Sequence, residues 1–203
     1  MRTQLPLCTV FYLLLGTTAS AQPSGHAGMG IKVGGQWSTL LASDATYTPI
    51  PGGLLGVYFP LLASARIELQ PELLLSYQGC DVQRSDEDPS GLRLLYAHLP
   101  VCAKVFLTNE VNLQGGVQAG KCLSARMDDE QVTDRFRPYD VGFITGLGID
   151  LRSGLDFTAR YYGGTTPVLT RTTGVNPRHR LLQITAGYRV MRFGRHRHKL
   201  HKR

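Results

Sequence analysis

The feature that most constrains this chain is a period-two alternation of apolar and polar residues. It recurs in eight segments of the 203-residue sequence. Successive side chains of a strand point to opposite faces, so the pattern predicts sheets with two unlike faces. In 30–37, Ile31, Val33, Gly35 and Trp37 oppose Lys32, Gly34 and Gln36. In 66–77, Ile67, Leu69, Leu73, Leu75 and Tyr77 oppose Arg66, Glu68, Gln70, Glu72 and Ser76. Segments 52–62, 94–107, 111–122, 139–152, 155–162 and 182–190 repeat it. No segment sustains helical spacing.

The connections alternate as well. Long ones cover about 38–51, 79–91, 124–138 and 163–178; short ones fall near 62–65, 108–110 and 153–154. Strict alternation gathers the long connections at one end of an up-and-down sheet. The expected fold is therefore all-β: an eight-stranded antiparallel up-and-down transmembrane β-barrel, with short periplasmic turns, long external loops and both termini periplasmic.

The two faces differ sharply in charge. One is Leu, Val, Ile, Ala, Phe, Tyr and Gly. The other carries Lys32, Arg66, Glu68, Glu72, Lys104, Asp140, Asp150, Arg152, Asp156, Arg160 and Arg189, of both signs. In a membrane barrel that face lines the lumen, where opposite charges pair. Eight strands leave an interior only wide enough for side chains, so these residues read as a lumen charge network rather than a pore lining. Alternation alone leaves open the inverse solution, a soluble periplasmic barrel of the lipocalin type with an apolar interior.

Residues 1–21 read as a cleaved secretory signal peptide: Arg2, an apolar run around Val10–Leu15, and Ala19-Ser20-Ala21 before Gln22. A linker, 22–27, precedes the barrel domain, 28–193. A basic tail, 194–203, follows. The net charge of +7 resides in Arg2 and in the stretch Arg192, Arg195, Arg197, Lys199, Lys202 and Arg203. The body is neutral, which argues against a nucleic-acid groove. Arg195, Arg197, Lys199, Lys202 and Arg203 form a possible anion-contacting tail, suited to envelope proteins or anionic cell-wall polymer. His196, His198 and His201 share that tail without fixed metal geometry. The acidic clusters Asp86-Glu87-Asp88 and Asp128-Asp129-Glu130 lack calcium-loop spacing and read as solvated. No cofactor or metal ligand set is expected. Cys80, Cys102 and Cys122 fall on the lumen face by parity and read as small buried thiols, with a disulfide as the alternative, although Cys80 and Cys122 sit on strands that are not neighbours.

Several runs together resemble the PorT-like outer-membrane β-barrel domain of Bacteroidetes-type bacteria. They are Gly30–Thr39, Leu69–Gly79 with its Gln-Pro-Glu, Leu99-Pro100-Val101, Leu113–Gly120, Gly146–Leu151, Ala159–Tyr162 and Gly187-Tyr188-Arg189. The resemblance spans Gly28 to Phe193. Such proteins end in an aromatic residue just after the Gly-Tyr-Arg; here ten residues follow Phe193. The resemblance implies an eight-stranded outer-membrane barrel. It implies no activity, although the namesake branch is linked to protein secretion.

The expected function is thus a structural or interaction barrel, monomeric and embedded in outer-membrane lipid, with no catalytic activity. A narrow channel or secretion-associated barrel is the alternative. A rim enzyme is weaker still: His98, Ser76 and Glu72 are its only lumen-side set of suitable residue types.

Overall fold

The computed structural model describes residues 28–41, 46–61, 66–83, 90–128, 130–169 and 177–192. The signal segment, the 22–27 linker, Asp86–Asp88, Phe193 and the tail lie outside the described residues.

The described chain forms β1 (Gly28–Leu41), β2 (Thr46–Tyr58), β3 (Ile67–Gln83), β4 (Ser90–Phe106), β5 (Val111–Met127), β6 (Glu130–Gln131), β7 (Tyr139–Asp150), β8 (Leu155–Gly164) and β9 (Arg178–Arg192). A single 3-10 turn, Thr133–Arg135, follows β6. Each strand pairs antiparallel with its sequence neighbours, except that the short β6 folds back on β5 and leaves β7 to pair with β5 directly. β1 pairs with β9, and β4 with β5, so eight strands close into a ring. Closure satisfies the ladder groups that an open sheet would leave at its edges, which a strand crossing lipid requires.

The faces sort as the alternation dictates, and the structure settles which is inside. The outward set includes Val33 (61% exposed), Leu55, Leu75, Val117, Phe143 (65%), Leu147 and Ile184. The inward set is polar, with Lys104, Glu68, Gln70 and Asn112 fully buried. A soluble barrel would reverse this, because water would be the solvent for the charged face. The soluble alternative is therefore not the observed arrangement.

The four long connections are shorter than the sequence suggests. β3 and β4 reach Gln83 and Ser90, and β5 reaches Met127, so much of 79–91 and 124–127 is strand. Alternation fades there because both faces become mixed, yet the ladder continues, for example Cys80↔Leu92 and Asp81↔Gly91. Beyond β5, Asp128 takes a φ of 47°, and its carboxylate accepts the Gly91 N–H at 2.8 Å. That bond holds its carboxyl below the ordinary carboxylate range.

Inside this end the lumen turns apolar. Leu40, Cys80, Leu92, Leu94, Tyr96, Cys122 and Ala125 line the wall, and Val132, Phe136 and Val168 pack onto them from the connections. Backbone bonds hold this cap: Val132 N–H to Ala125 O at 2.9 Å, Arg137 N–H to Val168 O at 2.8 Å, and Val168 N–H to Pro177 O at 2.8 Å. The long connections thus contribute more than exposed acids such as Glu130. These segments contribute a small core because Val132, Phe136 and Val168 have apolar wall residues to cover.

Close packing inside a narrow ring also explains one inward glycine. A methyl on Gly142 would lie 2.3 Å from the Gly163 carbonyl oxygen and 2.6 Å from the Tyr162 ring, which covers the site. Gly142→Ala should lower stability by about 1–3 kcal/mol in urea unfolding from lipid vesicles, as overpacking does. An unchanged midpoint would show that Tyr162 moves freely away.

Candidate functional site, the barrel lumen

The lumen side chains fall into groups along the barrel axis. Nearest the short-turn end, Lys104 Nζ lies 2.9 Å from Asp150 Oδ2 and 3.7 Å from a Glu68 oxygen. Arg189 Nη2 lies 3.6 Å from Glu68 and 3.9 Å from Asp150. Tyr58 donates to Asp156 Oδ2 at 2.6 Å. A cavity of about 310 Å³ opens beside them, lined in part by Asp150, Asp156, Arg189, Arg192 and Phe106. Asp156 Oδ1 and Arg189 Nε have no protein hydrogen-bond partner there. The cavity is polar and large enough for water to satisfy them.

The middle group is the tightest. Arg160 Nη1 and Nη2 donate to the two oxygens of Glu72 at 2.7 and 2.6 Å. Lys32 donates to Glu72 Oε1 at 2.8 Å, and Gln70 to the same oxygen at 2.5 Å. Arg160 Nε donates to Gln114 at 2.8 Å. Arg160 stands on β8 and Glu72 on β3, which are diametrically opposed in the ring. The pair therefore crosses the lumen. A planar guanidinium meets a carboxylate in two parallel bonds, which fixes direction as well as distance.

Next, Gln183 donates to Gln36 at 3.1 Å, Gln36 to Ser76 at 2.5 Å, and Ser76 to Gln78 at 3.1 Å. His98 contacts Gln118 through Nδ1 at 3.2 Å and stacks on Tyr96 with centroids 5.3 Å apart. Tyr96 meets His179 edge-on at 5.4 Å, again joining opposite strands, β4 and β9. Tyr162 and Thr166 both donate to Asp140. The apolar cap lies beyond.

Of the eleven residues assigned to a lumen network, Lys32, Glu68, Glu72, Lys104, Asp140, Asp150, Asp156, Arg160 and Arg189 take part in these contacts. Arg66 and Arg152 do not line the lumen: both are exposed, just outside the strands in the short turns. Strict parity carried them inward on paper, but the strands end before they are reached. Strand-parity reasoning missed Tyr58, Tyr96, Tyr162 and His179 as members. Their signal is an aromatic ring or imidazole on the polar side of a strand: Tyr58 and Tyr162 bond carboxylates, and Tyr96 and His179 contact each other.

The rim set suggested by the sequence does not converge. Ser76 bonds to glutamines, Glu72 is engaged by two cations, and His98 faces Gln118 and Tyr96. The three do not form one relay. Cys80, Cys102 and Cys122 are buried free thiols. Among the described residues, no group of three His, Cys, Asp or Glu side chains could hold a metal ion.

No family model matches the chain, and no curated protein does. Solved structures do. Neisserial surface protein A is similar at a TM-score of 0.53 with 12% identity, covering 80% of this chain and 97% of that one. Ail, the attachment invasion locus protein of Yersinia pestis, in complex with the heparin analogue sucrose octasulfate, matches at 0.49 with 14% identity, covering 80% and 98%. The outer membrane protein OprG of Pseudomonas aeruginosa matches at 0.45 with 15% identity, covering 84% and 99%. The fold is that of the small outer-membrane β-barrels.

The Glu72 cluster yields a direct test. Glu72→Gln leaves Arg160 and Lys32 buried without their counter-charge and should cost about 3–5 kcal/mol. Replacing Glu72, Arg160 and Lys32 together by Met should cost far less. Urea titration in vesicles distinguishes the two, and equal losses would mean that the charges do not act as a unit.

Proposed function

We propose that this chain is an outer-membrane barrel with a sealed lumen, whose role is structural or interactive rather than catalytic or conductive. The observation that carries the reading is the lumen itself. It is crossed by Arg160–Glu72 and by Tyr96–His179, each joining opposite strands, and is closed at the long-connection end by Val132, Phe136 and Val168. An ion entering would have to displace a bidentate ion pair and then an apolar cluster. The first exposes buried charge, and the second offers no oxygen to replace hydration.

The polar interior and apolar exterior support membrane insertion, and the secretory-type N-terminus supports export. The order of the PorT-like runs supports membership of that barrel group. In this reading the signal peptide is removed and both termini face the periplasm. The basic tail there meets anionic cell-wall polymer or an envelope protein. The long-connection end faces outward. The engagement of Ser76, His98 and Glu72 in separate contacts supports the absence of catalysis.

Two measurements test this together. The protein should partition to the outer-membrane fraction and migrate faster on unboiled than on boiled SDS gels, as closed barrels do. Reconstituted in a planar bilayer, it should pass no steady current. Steady ion-selective conductance through the folded barrel would overturn the sealed lumen, and a soluble periplasmic protein without a heat shift would overturn the barrel assignment.

A further inference from the structure

The outward face at the long-connection end is not uniform. Pairing followed around the ring from Arg180 passes through Gly163, Phe143, Val117 and Val101 to Pro71. Arg180 lies near the long-connection end of its strand and Pro71 near the short-turn end of its own. Strand tilt produces this descent, so residues at one height lie progressively further up each successive strand. With that displacement, Arg180 on β9, Tyr139 on β7, Lys121 on β5, Tyr77 on β3 and Trp37 on β1 occupy one belt. Lys121 and Tyr139 are themselves directly paired. Trp37, Tyr77 and Tyr139 are all about half exposed. An aromatic belt of this kind marks the headgroup level of a bilayer.

Four bases gather on one arc of that belt. Lys121 and Arg180 lie in it, Arg178 lies one outward position above Arg180, and Arg137 precedes β7 by two residues. Lys121, Arg137 and Arg178 are exposed, and Arg180 is half-buried. Among the described residues none of the four has a carboxylate within ion-pair distance. Two are held in place by backbone carbonyls: Arg137 Nε donates to Leu169 O at 3.1 Å, and Arg180 Nη1 to Gly164 O at 3.2 Å. Asp140, the acid nearest in sequence to Tyr139, points inward and is engaged by Tyr162 and Thr166. On the other side of the ring, Arg93 is paired with Asp81 at 3.2 Å. Among the described residues the four bases of this arc thus lack ion pairs, although Glu130 and Asp134 are exposed in the β5–β7 connection above it, whereas Arg93 on the other side is ion-paired.

We propose that Lys121, Arg137, Arg178 and Arg180 form a docking surface for the phosphate groups of phosphorylated glycolipid headgroups in the outer leaflet. This rests on the membrane-barrel reading above. Clustered like charges repel one another, and phosphates at the same depth remove that repulsion while accepting several N–H donors each. The apolar β5, β7, β8 and β9 surface below, with Val117, Phe143, Tyr161 and Leu182, takes the acyl chains.

The test uses the full mature barrel in phosphatidylcholine nanodiscs containing lipid A, or lipid A stripped of both phosphates. The readouts are lipid retained in native mass spectrometry and Trp37 fluorescence. Trp37 is the single tryptophan and lies at the edge of the arc. Bisphosphorylated lipid A should be retained about tenfold or more over the stripped lipid. Lys121→Gln, Arg137→Gln, Arg178→Gln and Arg180→Gln combined should abolish the preference. Arg66→Gln with Arg152→Gln, at the other end, should leave it intact. Equal retention of both lipids by the wild type overturns the proposal, as does undiminished preference in the quadruple variant. If that variant does not fold, the wild-type comparison of the two lipids decides alone. A wild type with no heat-dependent gel shift would fail at the earlier step, as a barrel, and is told apart by that shift.

Discussion

The Arg160–Glu72 pair is the interaction on which the interior depends. A barrel that turns its apolar face to lipid must bury its polar face in a tube barely wider than its side chains. Charges in such a tube are stable only when each finds a partner. One guanidinium, spanning from β8 to β3, meets Glu72 with both of its terminal nitrogens. Lys32 and Gln70 then share the same carboxylate. The contact ties opposite walls together across a ring whose width strand number and stagger set. Such an interior is costly to build, because desolvation is large, and costly to disturb, because removing one partner strands the others.

The rest of the lumen follows from the same constraint with weaker partners. Asp156 and Asp140 are each held by a tyrosine hydroxyl, and Lys104 bonds Asp150 closely while Glu68 meets Lys104 and Arg189 only at longer range. Charge dominates the short-turn end, amides and imidazoles the middle, and an apolar cluster the other end, where Asp140 is the inward carboxyl held by Tyr162 and Thr166. Among the described residues the lining therefore changes character between the two ends. That change, rather than strand number alone, favours a sealed barrel.

Outside, the bilayer imposes a different logic. Apolar residues face the acyl chains and aromatic rings mark the interfaces. In the docking proposal, the bases in and above one part of the belt meet anionic phosphate as well as water, both of which favour unpaired cations. The inward network and the outward arc thus use the same residue types for opposite reasons. Arg160 is neutralised by Glu72, whereas Arg178 has no ion pair among the described residues.

Much of this was legible in the residues. Period two over eight segments specifies strands and their two faces, because the pleat forces alternation irrespective of what surrounds it. Long and short connections in turn specify up-and-down order. Alternation could not say which face was inside, since a soluble barrel uses the same pattern inverted. Nor could it place the strand ends. Arg66 and Arg152 share the lumen parity but fall in turns, and 79–83 and 90–94 continue as strand although their pattern has blurred. The partners of the lumen charges were equally out of reach: Arg160 and Glu72 are 88 residues apart, and only closure of the ring brings β8 opposite β3. The sequence determined the local periodicity. Tertiary structure decided the contacts, because register, tilt and closure are properties of the whole sheet and of no single strand.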